Sequence, residues 1–167
     1  LGTDMFWFNQ HPGKNPETGA PFLDPVKYAW FSNVKFRQAI SHSINRKGIL
    51  RNVYRGRAVE LYSPLPASMG KWHNPNSPKF EYEPEKAKAL LEELGMKDRD
   101  GDGIREDESG NKIQFTYITN RENEIRERIG VILKEGFTEV GLDATLKLVD
   151  FNTLVTALND TFDYEAC

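Results

Sequence analysis

The chain has 167 residues, of which 38% are hydrophobic and 28% are charged, and its formal net charge at pH 7 is −3. This composition is typical of a globular domain with one core of ordinary size. A net negative charge gives no general attraction for nucleic acid or for an anionic membrane surface, so neither partner is expected. No apolar run has the length of a membrane span, so no direct membrane insertion is expected. The single cysteine excludes an internal disulfide.

The N-terminal part predicts one strand and a long loop. Residues 5–8 (MFWF) form a continuous apolar run, which is typical of a strand that is covered on both faces. Residues 9–25 are rich in Gly, Pro and Asn and therefore predict a surface loop.

Two helices in series are predicted between residues 31 and 59. Ser32 or Asn33 can cap the first and Asn45 the second, because a short polar side chain accepts a bond from an otherwise unpaired backbone N–H. The residues predicted to face the core recur at helical spacing: Phe36, Ala39, Ile40, Ser43 and Ile44, then Ile49, Leu50, Val53 and Tyr54. Residues 60–79 contain four prolines and predict an extended surface loop.

The second half predicts a helix followed by a βαβ unit. Pro84 suits the first position of a helix that ends at Gly95, and Gly141 stops a longer helix in which Gly130 and Gly136 each cost up to ~1 kcal/mol relative to Ala. Strand, helix and strand in this order predict a right-handed crossover between parallel strands. The elements, in order, are helix 84–94, charged loop 96–110, strand 112–119, helix 125–140, strand 144–148, helix 151–158 and strand 162–167.

The stretch at residues 34–58, VKFRQAISHSINRKGILRNVYRGRA, resembles the signature of the family 5 extracytoplasmic solute-binding proteins. These are the oligopeptide-, dipeptide- and nickel-binding receptors of ABC importers. The resemblance continues in the same order through SPLP, YEPEKAKALLEELG, DRDGDGIRED, FTYITNRENEIRERI and VDFNTLVTALNDTFDYEAC, and so covers nearly the whole chain.

The resemblance implies a fold and a non-catalytic function. The fold would be α/β, with a mixed sheet flanked by helices, as in one lobe of a type 2 periplasmic-binding-protein (cluster D-like) fold. Residues 1–167 would be a single lobe, the second lobe or domain III, cut from a longer two-lobed protein, with hinge strands at residues 5–9 and 162–167. The whole protein would capture peptides or similar small solutes outside the cytoplasm, in the periplasm or at the cell surface. It would deliver them to the permease of an ABC transporter and require no cofactor, and its signal peptide or lipid anchor would lie outside this fragment.

Four residues are predicted to contact the solute, in cooperation with the missing lobe. Ligands of α/β sheets collect beyond the carboxyl ends of strands, where loops and helix N-termini face one opening. Asn120 ends the strand at 112–119, so its amide either caps the next helix or binds the solute. Phe8 and Asn9 end the first strand where the resemblance places a crossing between lobes, and aromatic rings in loops can stack on a solute. The predicted set is Phe8, Asn9, Trp72 and Asn120.

Residues 98–103 read DRDGDG, the DxDxDG opening of a calcium loop of the EF-hand type. Alternate carboxylates turn onto a hard cation, while the glycine permits the tight turn. The position that should carry a bidentate glutamate is Ser109, so a solvated acidic turn without metal is the alternative. The ligands expected for a structural calcium ion are Asp98, Asp100, Asp102, Glu106 and the backbone carbonyl of Ile104.

Other functional classes find less support in the residues. Seven cations and no acid at 31–59 suggest a DNA-binding helix pair, but the linker has no glycine for a tight turn, and a solvated basic face explains the pattern. No nucleophile–base pair, P-loop or zinc motif is present, so no enzyme is expected. The rival function is a free-standing calcium-stabilised adhesion or signalling module, which should unfold when calcium is chelated.

Overall fold

The computed structural model describes residues 2–167. Its elements, in chain order, are α1 (Pro25–Ser32), α2 (Val34–Ser43), α3 (Arg46–Asn52), a 3₁₀ helix (Ala67–Trp72), α4 (Pro84–Glu93), β1 (Gln114–Asn120), α5 (Glu124–Glu139), β2 (Asp143–Val149), α6 (Phe151–Thr156) and a π-helical turn (Ala157–Thr161). Within residues 2–167, no helix combines the length and the apolar character that crossing a membrane requires.

The sheet is built on β1 and β2, which are parallel and are connected by α5. In their register Phe115 pairs with Ala144 and Tyr117 with Leu146, and the pairing runs the full length of both strands. The βαβ unit with parallel strands that the sequence predicts is therefore confirmed.

Two short extended segments at the ends of the chain widen this sheet. The Trp7 amide donates to the Cys167 carbonyl (2.9 Å) and the Cys167 amide to the Trp7 carbonyl (3.0 Å), which makes an antiparallel pair. The carbonyl of Ala166 accepts from the Ile118 amide (2.9 Å), so the C-terminal segment lies between the N-terminal segment and β1. The arrangement is mixed, as predicted, but each terminal segment forms isolated bridges rather than a full strand. Phe162, predicted to start the last strand, has φ of 54° and instead ends the π-helical turn.

Side chains on the two faces of β1 and β2 enter two separate apolar clusters, because successive residues of a strand point to opposite faces. Phe115 and Tyr117 enter the larger cluster, which also contains residues of α1, α2, α4 and α5. Ile118 enters the smaller cluster, with Val149, Leu154 and Ala157, on the side covered by α6.

Two segments that the sequence predicts as loop contain helix. α1 begins in the predicted loop, where Asp24 Oδ1 accepts from the Val26 amide (2.8 Å) and Pro25 takes the first helical position. The proline-rich segment holds the 3₁₀ helix, which starts with a bond from the Met69 amide to the Pro66 carbonyl (2.9 Å). In both places the helix-start signal lies inside a Gly- and Pro-rich composition that favours loop.

The caps predicted for α2 and α3 are confirmed, but the predicted core face of α3 is only half buried. Asn33 accepts from the Lys35 amide (2.9 Å), and Asn45 accepts from the Gly48 amide (2.8 Å). Ile49, for example, packs against the edge of the larger cluster rather than inside it.

Gly136 lets α5 approach the C-terminal end of α2. A Cβ at this position would lie far inside van der Waals contact with the carbonyl oxygen of Ser43. The predicted cost of glycine to the isolated helix is therefore offset by a helix contact that a larger residue cannot make. At Gly130 the nearest atom would be Cδ2 of Leu146, at 2.8 Å, which belongs to a flexible side chain.

Candidate functional site

An apolar groove of about 310 Å³ lies at the carboxyl end of β1. Its walls come from the N-terminal segment, β1, β2, α5, α6 and the π-helical turn, and include Met5, Ile129, Leu146, Leu154 and Leu158. Met5 and Phe151 at its rim are more than half exposed. Exposed apolar side chains beside a groove form a kind of surface that a ligand or a partner can cover. Exposed apolar surface near the strand ends is what the sequence predicts, although it does not surround Phe8.

A single arginine stands in the wall of this groove and is held by two polar side chains. Arg126 Nη1 donates to Asn120 Oδ1 (2.9 Å), and Nε donates to Asp4 Oδ1 (3.3 Å). The Tyr54 hydroxyl also donates to Asp4, and burial together with this hydrogen bond raises the pKa of Tyr54 to about 12. The guanidinium is thus fixed beside an apolar surface, where it can pair with a carboxylate in a planar, directional way.

Sequence reasoning missed Arg126 and Asp4. Asn123, the N-cap of α5, accepts from the Arg126 amide (3.1 Å), which places Arg126 in the first turn, close to the end of β1. The sequence signal was the Asn-x-x-Arg spacing directly after the strand. The contact with Asp4 carries no local signal, because it joins residues 122 positions apart.

Asn120 lies at the end of β1, where the sequence predicts it. It is 7% exposed, and its amide nitrogen donates to Glu122 Oε2 (3.3 Å) while its oxygen accepts from Arg126. The alternative that Asn120 caps α5 is wrong, because Asn123 is the cap. Contact between Asn120 and a solute stays a prediction, and the geometry adds that Asn120 orients Arg126.

Phe8 is a core residue in this structure. Its ring is 5% exposed and stacks on Phe31 with a centroid separation of 4.3 Å, with a further tilted contact to Phe36. The predicted use of Phe8 as a stacking surface therefore has no geometric support and stays a prediction, because its ring is occupied by these contacts. The reason is tertiary: the rings that cover it belong to α1 and α2.

The side chain of Asn9 is also fully used in hydrogen bonds within the lobe. It is 2% exposed, and its two amide protons go to the carbonyls of Phe162 (3.0 Å) and Tyr164 (2.8 Å), while its oxygen accepts from the His11 amide (2.9 Å). Any contact with a solute would require Asn9 to break bonds that join the two terminal segments, so its role in binding stays a prediction without geometric support.

Trp72 differs from the other three in being open to solvent. It lies at the end of the 3₁₀ helix, is 66% exposed, and carries Lys71 Nζ 5.2 Å from its ring centroid. Within residues 2–167, no hydrogen bond or aromatic pairing joins Trp72 to Phe8, Asn9 or Asn120. The predicted contact between Trp72 and a solute stays a prediction.

The acidic loop forms the carboxylate cluster that the sequence predicts. One carboxylate oxygen from each of four residues lies within 4.8 Å of the others; the four are Asp98, Asp100, Asp102 and Glu106. The loop is closed by amides that donate to Asp98, from Gly101 (2.7 Å) and Gly103 (3.0 Å). Both glycines have φ above 80°, a conformation that suits glycine. The Ile104 amide donates to Asp102 Oδ1 (2.8 Å), which keeps Ile104 beside the cluster.

Lys112 supplies positive charge to the exposed part of this cluster. Its Nζ lies 3.1 Å from Asp100 Oδ2 and contacts Asp102 Oδ2. Hydrogen bonds from Lys112 and from the Ile104 amide hold the pKa of Asp102 below its usual value, and the same pairing raises the pKa of Lys112.

Glu106 is the buried member of the cluster and is only partly satisfied. It is 5% exposed; Oε2 accepts from the Arg99 amide (2.8 Å), whereas Oε1 is buried without a hydrogen-bond partner in the part of the chain that the structure describes. An unpaired buried acceptor costs about 1–3 kcal/mol, and more when it is charged.

Several cations of residues 31–59 are used inside the lobe. Arg37 Nη1 donates to the Phe31 carbonyl (2.7 Å), Arg46 Nη1 donates to the Ser41 carbonyl (2.9 Å), and Lys35 pairs with Glu93 at 2.8 Å. Groups that are bonded in this way cannot also form a row of phosphate contacts, which weighs against a DNA-binding face.

Comparison with known proteins relates the chain to bacterial solute receptors. Residues 1–166 match the family described as bacterial extracellular solute-binding proteins, family 5 Middle. The chain is 36% identical over 140 residues to the oligopeptide-binding protein AppA of Bacillus subtilis (strain 168), covering 81% of this chain and 25% of that protein. It is 34% identical over 129 residues to a probable ABC transporter-binding protein of Deinococcus radiodurans, covering 77% and 22%.

A solved structure of AppA from Bacillus subtilis in complex with a nonapeptide superposes with a TM-score of 0.76 at 34% identity. The superposition covers 83% of this chain and 28% of that one. The chain thus spans about a quarter of the length of the relatives it matches.

Proposed function

Because this chain belongs to the family 5 bacterial extracellular solute-binding proteins, we propose that it forms one lobe of the solute-binding component of an ABC importer. The family binds solutes, is not a family of enzymes, and works outside the cytoplasm. The fold is α/β and is that of a type 2 periplasmic-binding-protein lobe. In the proposal, residues 1–167 are a single lobe of a two-lobed protein, and residues 5–9 and 162–167 cross to the other lobe.

The proposed solutes are peptides or similar small molecules. The solved structure of AppA with a nonapeptide supports this class, since that relative is 34% identical to this chain over the part that superposes. In this chain, the groove offers apolar surface for side chains, and Arg126, whose Nε already pairs with Asp4, offers a guanidinium that a carboxylate of the solute can share. A peptide carries both kinds of group.

Capture would proceed by closure of the two lobes over the solute. An apolar groove on one lobe is stabilised when the other lobe and the solute cover it, at roughly 25 cal/mol per Å² of apolar surface removed from water. Each lobe supplies part of the contact, so the closed state is favoured only when the solute is present. Closure breaks no covalent bond, and we assign no cofactor to the solute site.

Further partners follow from the same proposal. The filled receptor would present the solute to the permease of the importer, and a signal peptide or lipid anchor outside these residues would keep it outside the cytoplasm. The observation that carries the proposal is the apolar groove beside the crossing segments, with Arg126 fixed in its wall.

Replacing Asn120 tests this proposal. In the longer receptor that contains this chain, Asn120→Ala should release Arg126 and weaken peptide binding by ~1–2 kcal/mol, or about five- to thirtyfold in Kd. The measurement is calorimetry with a peptide mixture. Asn76→Ala, an exposed change in the proline-rich loop, is the matched control and should leave Kd unchanged.

The 167-residue chain alone should bind peptide too weakly to measure, with or without Asn120→Ala. Tight peptide binding by the single lobe would contradict the half-site proposal. If Asn120→Ala and Asn76→Ala changed Kd equally in the receptor, the groove would not be part of the solute site.

A further inference from the structure

The acidic loop lies at the opposite end of the sheet from the groove. Residues 107–113 connect the loop to β1, and the Arg105 amide donates to the Gly141 carbonyl (2.8 Å), just before β2 begins. The groove is lined by Tyr117, Ile118 and Thr119 in the second half of β1, so the first three residues of the strand, roughly 10 Å, lie between it and the start of β1. Whatever the loop binds is therefore outside the proposed solute site and is independent of the proposed function.

The three aspartates alone do not make a site, because exposed carboxylates often cluster without a ligand. Glu106 is different, because it is only 5% exposed and still contributes an oxygen to the same cluster. One of its oxygens has no hydrogen-bond partner within residues 2–167. A buried carboxylate that has one unpaired oxygen, and that contributes an oxygen to a cluster with three further carboxylates, has the chemistry of a cation ligand.

Backbone hydrogen bonds fix the position of the Glu106 main chain beside the cluster. Its amide donates to the Lys97 carbonyl (2.9 Å), its carbonyl accepts from the Lys97 amide (3.0 Å), and it forms a second bridge with Lys112. The Arg99 amide holds Oε2 at 2.8 Å. The carboxylate is therefore positioned before any cation arrives, so binding costs little conformational entropy at this side chain.

The donor set selects the class of cation. All four side chains offer carboxylate oxygens, and the carbonyl of Ile104 is the next oxygen along the loop. Calcium takes six to eight oxygen ligands in flexible geometry, while magnesium demands a near-ideal octahedron and keeps several waters. Zinc, nickel and copper prefer nitrogen and sulfur, and the cluster contains neither His nor Cys. We propose that residues 98–106 bind one calcium ion through Asp98, Asp100, Asp102, Glu106 and the Ile104 carbonyl, with water completing the shell.

Lys112 acts as a competitor for this ion. Its ammonium group neutralises Asp100 and Asp102 in the absence of calcium, and the ion must displace it or share those oxygens with it. Ser109 occupies the position at which calcium loops of the EF-hand type carry a bidentate glutamate, so that ligand is missing here. We therefore expect a Kd on the order of 10⁻⁴ M, in the range of extracellular calcium modules.

The test is calorimetry on the 167-residue chain, stripped with a chelator and titrated with calcium chloride, with magnesium chloride as the control titrant. We expect one calcium per chain and a thermal midpoint that rises with calcium concentration as mass action requires. Glu106→Gln keeps the shape of the side chain and should weaken binding at least tenfold, as should Asp100→Asn at an exposed position. Glu108→Gln removes a neighbouring charge outside the cluster and should change Kd less than twofold, while Lys112→Met should tighten binding.

Each outcome decides the proposal. No heat and no shift of the melting midpoint with millimolar calcium would overturn it, as would equal responses to calcium and magnesium. If Glu106→Gln fails to fold by circular dichroism, Asp100→Asn and Lys112→Met give the decisive comparison. Equal weakening by Glu108→Gln and Asp100→Asn would show that only surface charge is being screened.

Discussion

Asn9 replaces ladder hydrogen bonds that the terminal segments cannot make. Phe162 adopts a left-handed conformation, so the chain that follows it does not run as a regular strand beside residues 5–9. The side-chain amide of Asn9 instead donates to the carbonyls of Phe162 and Tyr164, so both carbonyls have a hydrogen-bond partner. The side chain of Asn9 therefore has a structural role in joining the two terminal segments.

Leu91 provides a residue-scale test of the core. Its side chain is fully buried on the face of α4 that packs against α2, so Leu91→Ala removes apolar contacts and leaves a cavity. We expect a loss of ~2–4 kcal/mol in the free energy of unfolding, measured by urea denaturation. Glu92→Ala, on the exposed side of the same helix with one 3.3 Å contact to Arg105, should cost under ~0.5 kcal/mol. Equal losses would show that the assigned face of α4 is wrong.

At the scale of elements, the contact between α2 and α5 depends on the absence of a side chain. α2 ends at Ser43, and its carbonyl meets α5 where Gly136 leaves room. A glycine inside a helix lowers intrinsic helix stability. Here the loss is offset because the two helices approach closely and bury Phe137 next to this point.

Exchanging the two glycines of α5 separates close packing from helix propensity. Gly136→Ala should destabilise the protein by at least ~2 kcal/mol, because the new Cβ meets a backbone carbonyl that cannot rotate away. Gly130→Ala should cost less or be neutral, since the end of Leu146 can turn and alanine favours the helix. Thermal or urea unfolding of both variants measures this. A stabilising Gly136→Ala would contradict the close approach.

Elements with strong local signals could be predicted from the sequence, and contacts between distant segments could not. Asn33, Asn45, Pro84 and Gly95 mark helix ends by their own chemistry, and the βαβ order follows from alternation and spacing. The DxDxDG spacing likewise brought the carboxylates together. The burial of Phe8 depends on rings from α1 and α2, which no local pattern around residue 8 encodes.

At the scale of the whole molecule, the two ends of the sheet carry different kinds of side chain. The acidic loop and Gly141 lie before the strands begin, whereas Asn120 and Arg126 lie where β1 ends. In open α/β sheets, ligands bind beyond the carboxyl ends of strands. A cation at the amino ends would therefore secure the base of the lobe, while the groove at the other end stays free for a solute and a second lobe.

The unequal apolar clusters also set an order in which parts of the molecule open. The α6 side is held by four buried residues, Ile118, Val149, Leu154 and Ala157, while the opposite face packs against four helices. Local unfolding costs least where the fewest apolar contacts break, so α6 should detach while α2, α4 and β1 stay folded. Amide hydrogen exchange followed by mass spectrometry should show α6 and the π-helical turn exchanging first; equal protection throughout would indicate a single cooperative unit. Since α6 also lines the groove, the surface proposed to meet a solute is the one that rearranges most often.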